Sequence, residues 1–181
     1  MRKSREEAAQ TRRRIVAAAS CEFRKNGIAA SGLNDLMKAA GLTHGGFYKH
    51  FASKDQLVAE ATTAALDTML EGMAAHPTVS AAVAAYLSTR HRDDPASGCP
   101  LAAIGSELSR SDQARAAATA GFVRLVDILA GKAGTADARR RALVAAATMI
   151  GAVTMSRMVT DPELSAEILR EAEKSLMAAR S

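Results

Sequence analysis

Residues 33–40 and 43–50 are two short stretches of helix-forming sequence, separated by Gly41 and Leu42. Glycine reaches the positive φ that reverses a chain within a few residues, so the pattern reads as helix, tight turn, helix. Leu36, Ala40, Leu42, Phe47 and Phe51 supply the apolar side that holds the two helices to their neighbours. The second helix is then left to expose Thr43, His44, Gly45, Tyr48 and Lys49. Gly45 and Gly46 each cost about 1 kcal/mol relative to Ala in a helix interior. Close packing against another helix would offset that cost, and so would close approach of the backbone to DNA. Tyr48, Lys49 and His50 form a basic, hydrogen-bonding cluster beside the glycines, which suits a groove lined with phosphate.

The flanking sequence builds the rest of a small helical domain. Ile15, Ala19 and Phe23 recur every four residues, which predicts a helix over 10–26 with one buried face, ended by Gly27. Ser31 is a candidate N-cap for the helix from Gly32, and Thr43 for the next. Ser53 and Gln56 have capping-box spacing and open a long helix that reaches Ala75, where Pro77 bars continuation. Lys54 stands in its first turn, at the positive end of the helix dipole. A DNA phosphate bound there would relieve that misfit, and so would extension into water.

Charge follows the same division. Eleven of the 24 Lys/Arg and four of the 19 Asp/Glu lie within the first 54 residues, a local balance of +7 against −2 for the remainder. A basic third on a near-neutral body suits a polyanion partner, while Arg2 to Arg14 taken alone read as a solvated tail. The boundaries expected are a DNA-binding domain over 1–54 and a second helical domain over 55–181, joined within the Ser53 helix.

Beyond Pro77 every segment reads as helical. The expected spans are 78–92, a helix from Pro100 to Arg110, one capped by Asp112 that ends near residues 131–134, one capped by Asp137 that runs to Val159, and a last one over 162–180 opened by Asp161. Residues 93–98 form a loop. Aromatics are 3% of the chain and strong helix formers dominate, so the fold class is all-α. Two cysteines make neither a disulfide framework nor a zinc site, and fit a reducing cytoplasm. No signal peptide and no span long enough for a bilayer is visible. His91, Asp93, Asp94 and Cys99 match no metal-ligand spacing and read as a solvated loop. There is no glycine-rich phosphate loop and no nucleophile–base arrangement, so neither an enzyme nor a cofactor is expected. A non-specific DNA-coating or helical interaction protein is the remaining alternative class.

The run Gly41-Leu42-Thr43-His44-Gly45-Gly46-Phe47-Tyr48-Lys49-His50-Phe51-Ala52-Ser53-Lys54-Asp55 resembles the DNA-binding domain of the TetR (tetracycline-repressor-type, TetR/AcrR) regulators. The likeness covers 11–57, about a quarter of the chain. It includes the Gly-(Val/Leu)-(Ser/Thr) turn, the Tyr before a variable residue and a His-Phe pair, and the Ser-Lys-(Glu/Asp) helix start. The resemblance implies a homodimer, a palindromic operator near the protein's own gene, and a helical C-terminal domain that binds a small effector. By the same resemblance His44, Gly45 and Lys49 would face base edges, with Gly46 and His50 on the same helix. Thr43, Tyr48 and Lys54 would hold phosphates, and Arg12, Arg13, Arg14 and Ser31 would touch the flanking backbone. The last two long helices would form the dimer surface, where Ala145, Ala146, Gly151, Ala152 and Met155 allow close packing. Intramolecular core accounts for the same five residues, and the need of a palindrome for two readers favours the dimer.

An effector pocket inside the C-terminal bundle would be walled by Met69, Met73, Tyr86, Cys99, Leu101, Ile104, Phe122, Val126, Met149 and Val153. No internal cation stands out there, so a small apolar effector is expected to release a repressor from DNA. The alternative is a thiol- or electrophile-sensing repressor switched through Cys99. That residue precedes Pro100 at a helix start, where the dipole lowers a thiol pKa. An inert buried cysteine fits the same position. Cys21, on a helix face, reads as packing.

Overall fold

The computed structural model describes residues 2–131 and 134–179, all of them helical or in short connections. The elements are α1 (Arg2–Asn26), α2 (Leu33–Ala39), a 3-10 helix (His44–Lys49), α3 (Lys54–Ala74), α4 (Val79–Tyr86), α5 (Thr89–Asp93), α6 (Pro100–Leu108), α7 (Asp112–Ala130), α8 (Ala136–Met158) and α9 (Pro162–Ala178). Two apolar cores organise them. Ile15, Phe23, Leu36, Phe47, Phe51 and Leu57 centre the first, in the N-terminal head. Leu66, Val83, Leu125, Ala146, Met149 and Leu169 centre the second, in the body. Helix α3 belongs to both, since Leu57, Val58 and Ala61 face the head and Leu66, Leu70 and Met73 face the body.

Local chemistry explains most of the boundaries. Ser53 accepts from the Gln56 N–H, and the Gln56 side chain accepts from the Ala52 N–H, so both ends of the capping box are made. Asp161 accepts from the N–H groups of Glu163 and Leu164, with Pro162 in the first turn. Gly41 has φ +69°, and the bonds Leu42 N–H to Met37 O and Gly41 N–H to Lys38 O close α2 in a Schellman motif. Gly131, at φ +65°, ends α7.

Several boundaries differ from the sequence expectation. The first helix extends back to Arg2. Neither Ser31 nor Thr43 caps a helix through its side chain. Ser31 is buried and its hydroxyl donates to Gly27 O at 2.7 Å, while Gly32 and Thr43 occupy cap positions with no side-chain bond. The turn around the two glycines is 3-10 rather than α, an unstrained form for so short a glycine-rich piece. The expected 78–92 helix breaks at Leu87, where Ser88 caps α5 by accepting from the His91 N–H. Ser111 and Thr135, rather than Asp112 and Asp137, cap α7 and α8, which places both aspartates in first turns. Of the expected 162–180 helix, Arg180 lies outside the described residues, as do Lys132 and Ala133 of the 131–134 loop.

Helices α3 and α7 pack closely at a glycine. Gly121 of α7 is buried, and a Cβ added to it would lie 2.9 Å from Leu66 Cγ and closer still to Cδ1. Glycine is needed there for proximity rather than for backbone conformation.

Candidate nucleic-acid interface

The 3-10 helix sits on a floor of aromatic rings. Phe47 and Phe51 are both buried, their ring centroids 5.6 Å apart at 27°. Tyr48 meets the edge of Phe47 at 5.1 Å yet leaves 69% of itself in solvent. With Phe47 pinned inward, the neighbouring residues must point out. Thr43, His44, Gly45, Tyr48 and Lys49 are exposed, and Gly46 and His50 are half-buried. A Cβ on Gly45 would meet nothing within 4 Å, and one on Gly46 would make only an ordinary contact with Met37 Cε at 3.5 Å. Packing inside the head therefore requires neither glycine. Of the two offsets open to the Gly45-Gly46 pair, backbone approach by an outside partner is the one this geometry leaves room for.

The other basic residues divide into two groups. Arg13 is exposed on α1. Arg12, Arg14 and Lys54 are tied into the head instead. Arg12 pairs with Glu60, donates to His50 O, and lies 4.2 Å over the Phe51 ring. Arg14 Nη2 donates to Ala40 O at 2.7 Å, and Lys54 Nζ to Ile28 O at 2.6 Å. Each binds a carbonyl at the end of a helix or turn, so these cations hold together the parts that present the 3-10 helix. Ser31 faces the interior of the α1–α2 turn.

The head is also tied to the body by residues that the sequence did not single out. Glu107 of α6 accepts from the Ala29 N–H at 2.9 Å, and Arg24 of α1 donates to Gly98 O at 2.8 Å. No sequence pattern pairs Arg24 with a carbonyl 74 positions away.

The ten expected pocket residues are not gathered around one cavity. Val126, Met149 and Val153 are close-packed in the body, and Ile104 lies in the core of the head. Leu101 and Phe122 line a groove of about 300 Å³ between α6, α7 and α8. Met69, Met73 and Tyr86 line a separate cavity of about 160 Å³ near the 94–98 loop. A further hollow of about 260 Å³ lies between α4, α7, α8 and α9, with Arg140 and Arg141 in its wall.

Cys99 is wholly buried beside Tyr86, and burial pushes its thiol above the ordinary value, against the lowering expected from the helix start. Burial also pushes the Tyr86 hydroxyl well up. Cys21 is exposed, not packed. His91 is half-buried with both ring nitrogens engaged. Nε2 accepts from the Cys99 N–H at 2.9 Å, so Nδ1 carries the proton and donates to Tyr86 O at 2.6 Å. It is thus a structural link, not part of a solvated loop. Among the described residues no group of three His, Cys, Asp or Glu side chains could hold a metal ion, and no helix is long and apolar enough to cross a membrane.

Comparison with known proteins fits this geometry. Residues 15–61 match the sequence model of the bacterial regulatory proteins of the tetR family. The chain is 43% identical over 58 residues to the HTH-type transcriptional regulator TtgR of Pseudomonas putida, a match spanning 32% of this chain and 28% of that regulator. Among solved structures, a TetR transcriptional regulator from Chloroflexus aurantiacus superposes with a TM-score of 0.72 at 28% identity, over 97% of this chain and 94% of that one. The reduced form of Escherichia coli NemR shares the fold with a TM-score of 0.76 at 20% identity, over 92% of this chain and 95% of its own.

Proposed function

We propose that this chain, whose residues 15–61 match the sequence model of the tetR family of bacterial regulatory proteins, is a member of that family and a ligand-released transcriptional repressor that binds a palindromic operator as a homodimer. The observation that carries the reading is the exposed set Thr43, His44, Gly45, Tyr48 and Lys49, raised on a buried aromatic floor around a glycine with open space before it. Lys49 can reach guanine O6 and N7, His44 can donate or accept at a base edge, and Gly45 lets the backbone approach. Thr43 and Tyr48 bind phosphates on either side, and Arg13 reaches the flanking backbone. Arg12, Arg14 and Lys54 act mainly by holding the reading elements in register.

A palindrome needs two readers, and the outer face of α8 supports a dimer. Val144, Gly151, Met155 and Met158 lie on one stripe, with Val144 60% and Met158 67% exposed. A Cβ on Gly151 would meet nothing within 4 Å, which leaves room for a second helix to come close. Leu164 of α9 is a further exposed apolar side chain. Such a dimer works in the cytoplasm, where its DNA is. Burial of Cys99 favours release by a bound small apolar effector over switching through that thiol.

Footprinting on the DNA upstream of the protein's own gene tests the reading. Two protected half-sites centred about 34–36 Å apart, or a multiple of that, are expected. Uniform protection without half-sites would refute it.

A further inference from the structure

One small cavity shares its wall with one of the hydrogen bonds that tie the head to the body, that of Arg24 to Gly98. About 160 Å³ in volume, it lies between the C-terminal part of α3, α4 and the 94–98 loop. Met69, Met73, Ala82 and Tyr86 supply its apolar wall, His76 and His91 its imidazoles, and Gly98 its floor near the loop. Gly98 is buried. A Cβ there would lie 2.7 Å from the His91 ring and 3.1 Å from Arg157 Nη2. The carbonyl of Gly98 accepts from Arg24 Nη1 at 2.8 Å. The next residue, Cys99, is the N-cap of α6, and its N–H is held by His91. Arg157 of α8 fixes the other side by donating to the carbonyls of His91 and Arg92, at 2.7 and 2.9 Å. Any shift of His91 or Gly98 therefore moves the acceptor that Arg24 of α1 depends on.

We propose that this cavity binds a neutral, single-ring aromatic molecule, and that its occupancy is passed to the DNA-binding head through Gly98 and Arg24. The proposal rests on the regulatory reading above and supplies its ligand class and its coupling. The volume suits one ring, since a protein cavity of about 150 Å³ accommodates benzene, and the side formed by Gly72, His76, Ala85 and Ser97 opens to solvent. The thioethers of Met69 and Met73 suit an aromatic face or edge. None of the lining residues is Lys, Arg, Asp or Glu, so a formal charge on the ligand would find no partner in the wall. His91 has no free nitrogen, which leaves His76, Ser97 and the Tyr86 hydroxyl, buried without a hydrogen-bond partner, to meet one polar substituent. Gly72, exposed in the last turn of α3, borders the cavity, and a Cβ on it would meet nothing within 4 Å. The missing side chain leaves the cavity open. A ligand couples two sites only if it contacts their two states differently, and here His91 and Gly98 are wall and latch at once.

The test uses the full chain and phenol as probe, with melting and operator anisotropy as separate readouts. Phenol at about ten times its Kd raises Tm by about 2 °C or more and weakens operator binding at least about fivefold. Gly72→Leu, which plugs the cavity without a clash, melts no lower than wild type and loses both effects. Arg24→Met keeps the phenol-induced rise in Tm but loses the release. Arg24 also donates from Nε to Ser20 O at 2.9 Å; if Arg24→Met folds poorly, Arg24→Lys keeps the charge without reaching both carbonyls, and gives the same split. No change of Tm in wild type, or an undiminished rise in Gly72→Leu, overturns the site. Wild-type release in both Arg24 variants overturns the coupling. If the unliganded protein does not prefer its upstream DNA to shuffled DNA, the regulatory reading falls, and the melting readout alone decides the cavity.

Discussion

Gly121 provides a test of packing in which the sign of the effect depends on one neighbour. Replacing glycine by alanine in a helix interior gains about 1 kcal/mol of propensity. In α7 that gain meets an obstacle, because the new Cβ would stand 2.9 Å from Leu66 Cγ and closer to Cδ1. Leu66 is buried and cannot swing aside into solvent. Overpacking of this kind costs about 1–3 kcal/mol, so Gly121→Ala is expected to leave the protein unchanged or to destabilise it by up to about 2 kcal/mol. Leu66→Ala alone should cost about 2–5 kcal/mol through lost transfer energy and the cavity left behind. In that background the obstructing carbons are gone, and Gly121→Ala should stabilise by about 1 kcal/mol. The coupling in the double-mutant cycle is then about 1–3 kcal/mol. Urea unfolding of the four proteins at one protein concentration measures it, with equal m-values showing that the unfolded reference is shared. If Gly121→Ala stabilised both backgrounds alike, with a coupling under about 0.5 kcal/mol, close approach of α3 and α7 would not be the reason for the glycine.

Further expectations concern charge and assembly. Desolvation lowers the pKa of His91, with Arg157 adding to the effect, so the folded state prefers the neutral ring. Its contribution is complete above the unfolded value of about 6.5 and is lost as pH falls from there through the lower folded value, so Tm should drop on acidification. In His91→Gln, which keeps hydrogen-bonding capacity but cannot titrate, Tm should depend less on pH over that range; an identical profile would show that His91 is not the group responsible. Lys49→Ala should reduce the slope of log K against log salt by about 0.9, one phosphate equivalent or a base contact of like charge, whereas Arg12→Ala should lower Tm and leave that slope unchanged. A lost slope in Arg12→Ala would place Arg12 on the DNA instead of on Glu60. Val144→Glu combined with Met158→Glu should convert the dimer to monomer by light scattering, and an unaltered dimer would move the interface away from the α8 stripe.

Much of the head was legible because its signals are local. Gly41, the Ser53–Gln56 pair and the Ile15-Ala19-Phe23 repeat each act within about one or two turns of helix, and the structure bears out the turn, the cap and the buried face. Cap positions were harder to place where two candidates lay close together. Ser111 and Thr135 took the cap, and Asp112 and Asp137 moved into the first turn, where a carboxylate favours the dipole equally well. The break at Leu87 had a signal in Ser88, which the continuous apolar pattern obscured. What sequence could not give is tertiary. Whether Met149 or Val153 walls a void depends on how tightly α6, α7 and α8 close, and in this chain they close fully around both. Arg24, Gly98 and Glu107 carry no local mark of their part in joining head to body.

The central claim is sequence-specific DNA recognition by the exposed 3-10 helix. Fluorescence anisotropy of the purified protein on DNA from its own upstream region, against shuffled DNA at two salt concentrations, tests it most directly. The account predicts tight, salt-sensitive binding to the native fragment alone, lost in Tyr48→Ala and in Lys49→Ala while both variants melt as wild type does. Equal binding to the two DNAs, or native-fragment affinity that survives both substitutions, would contradict it.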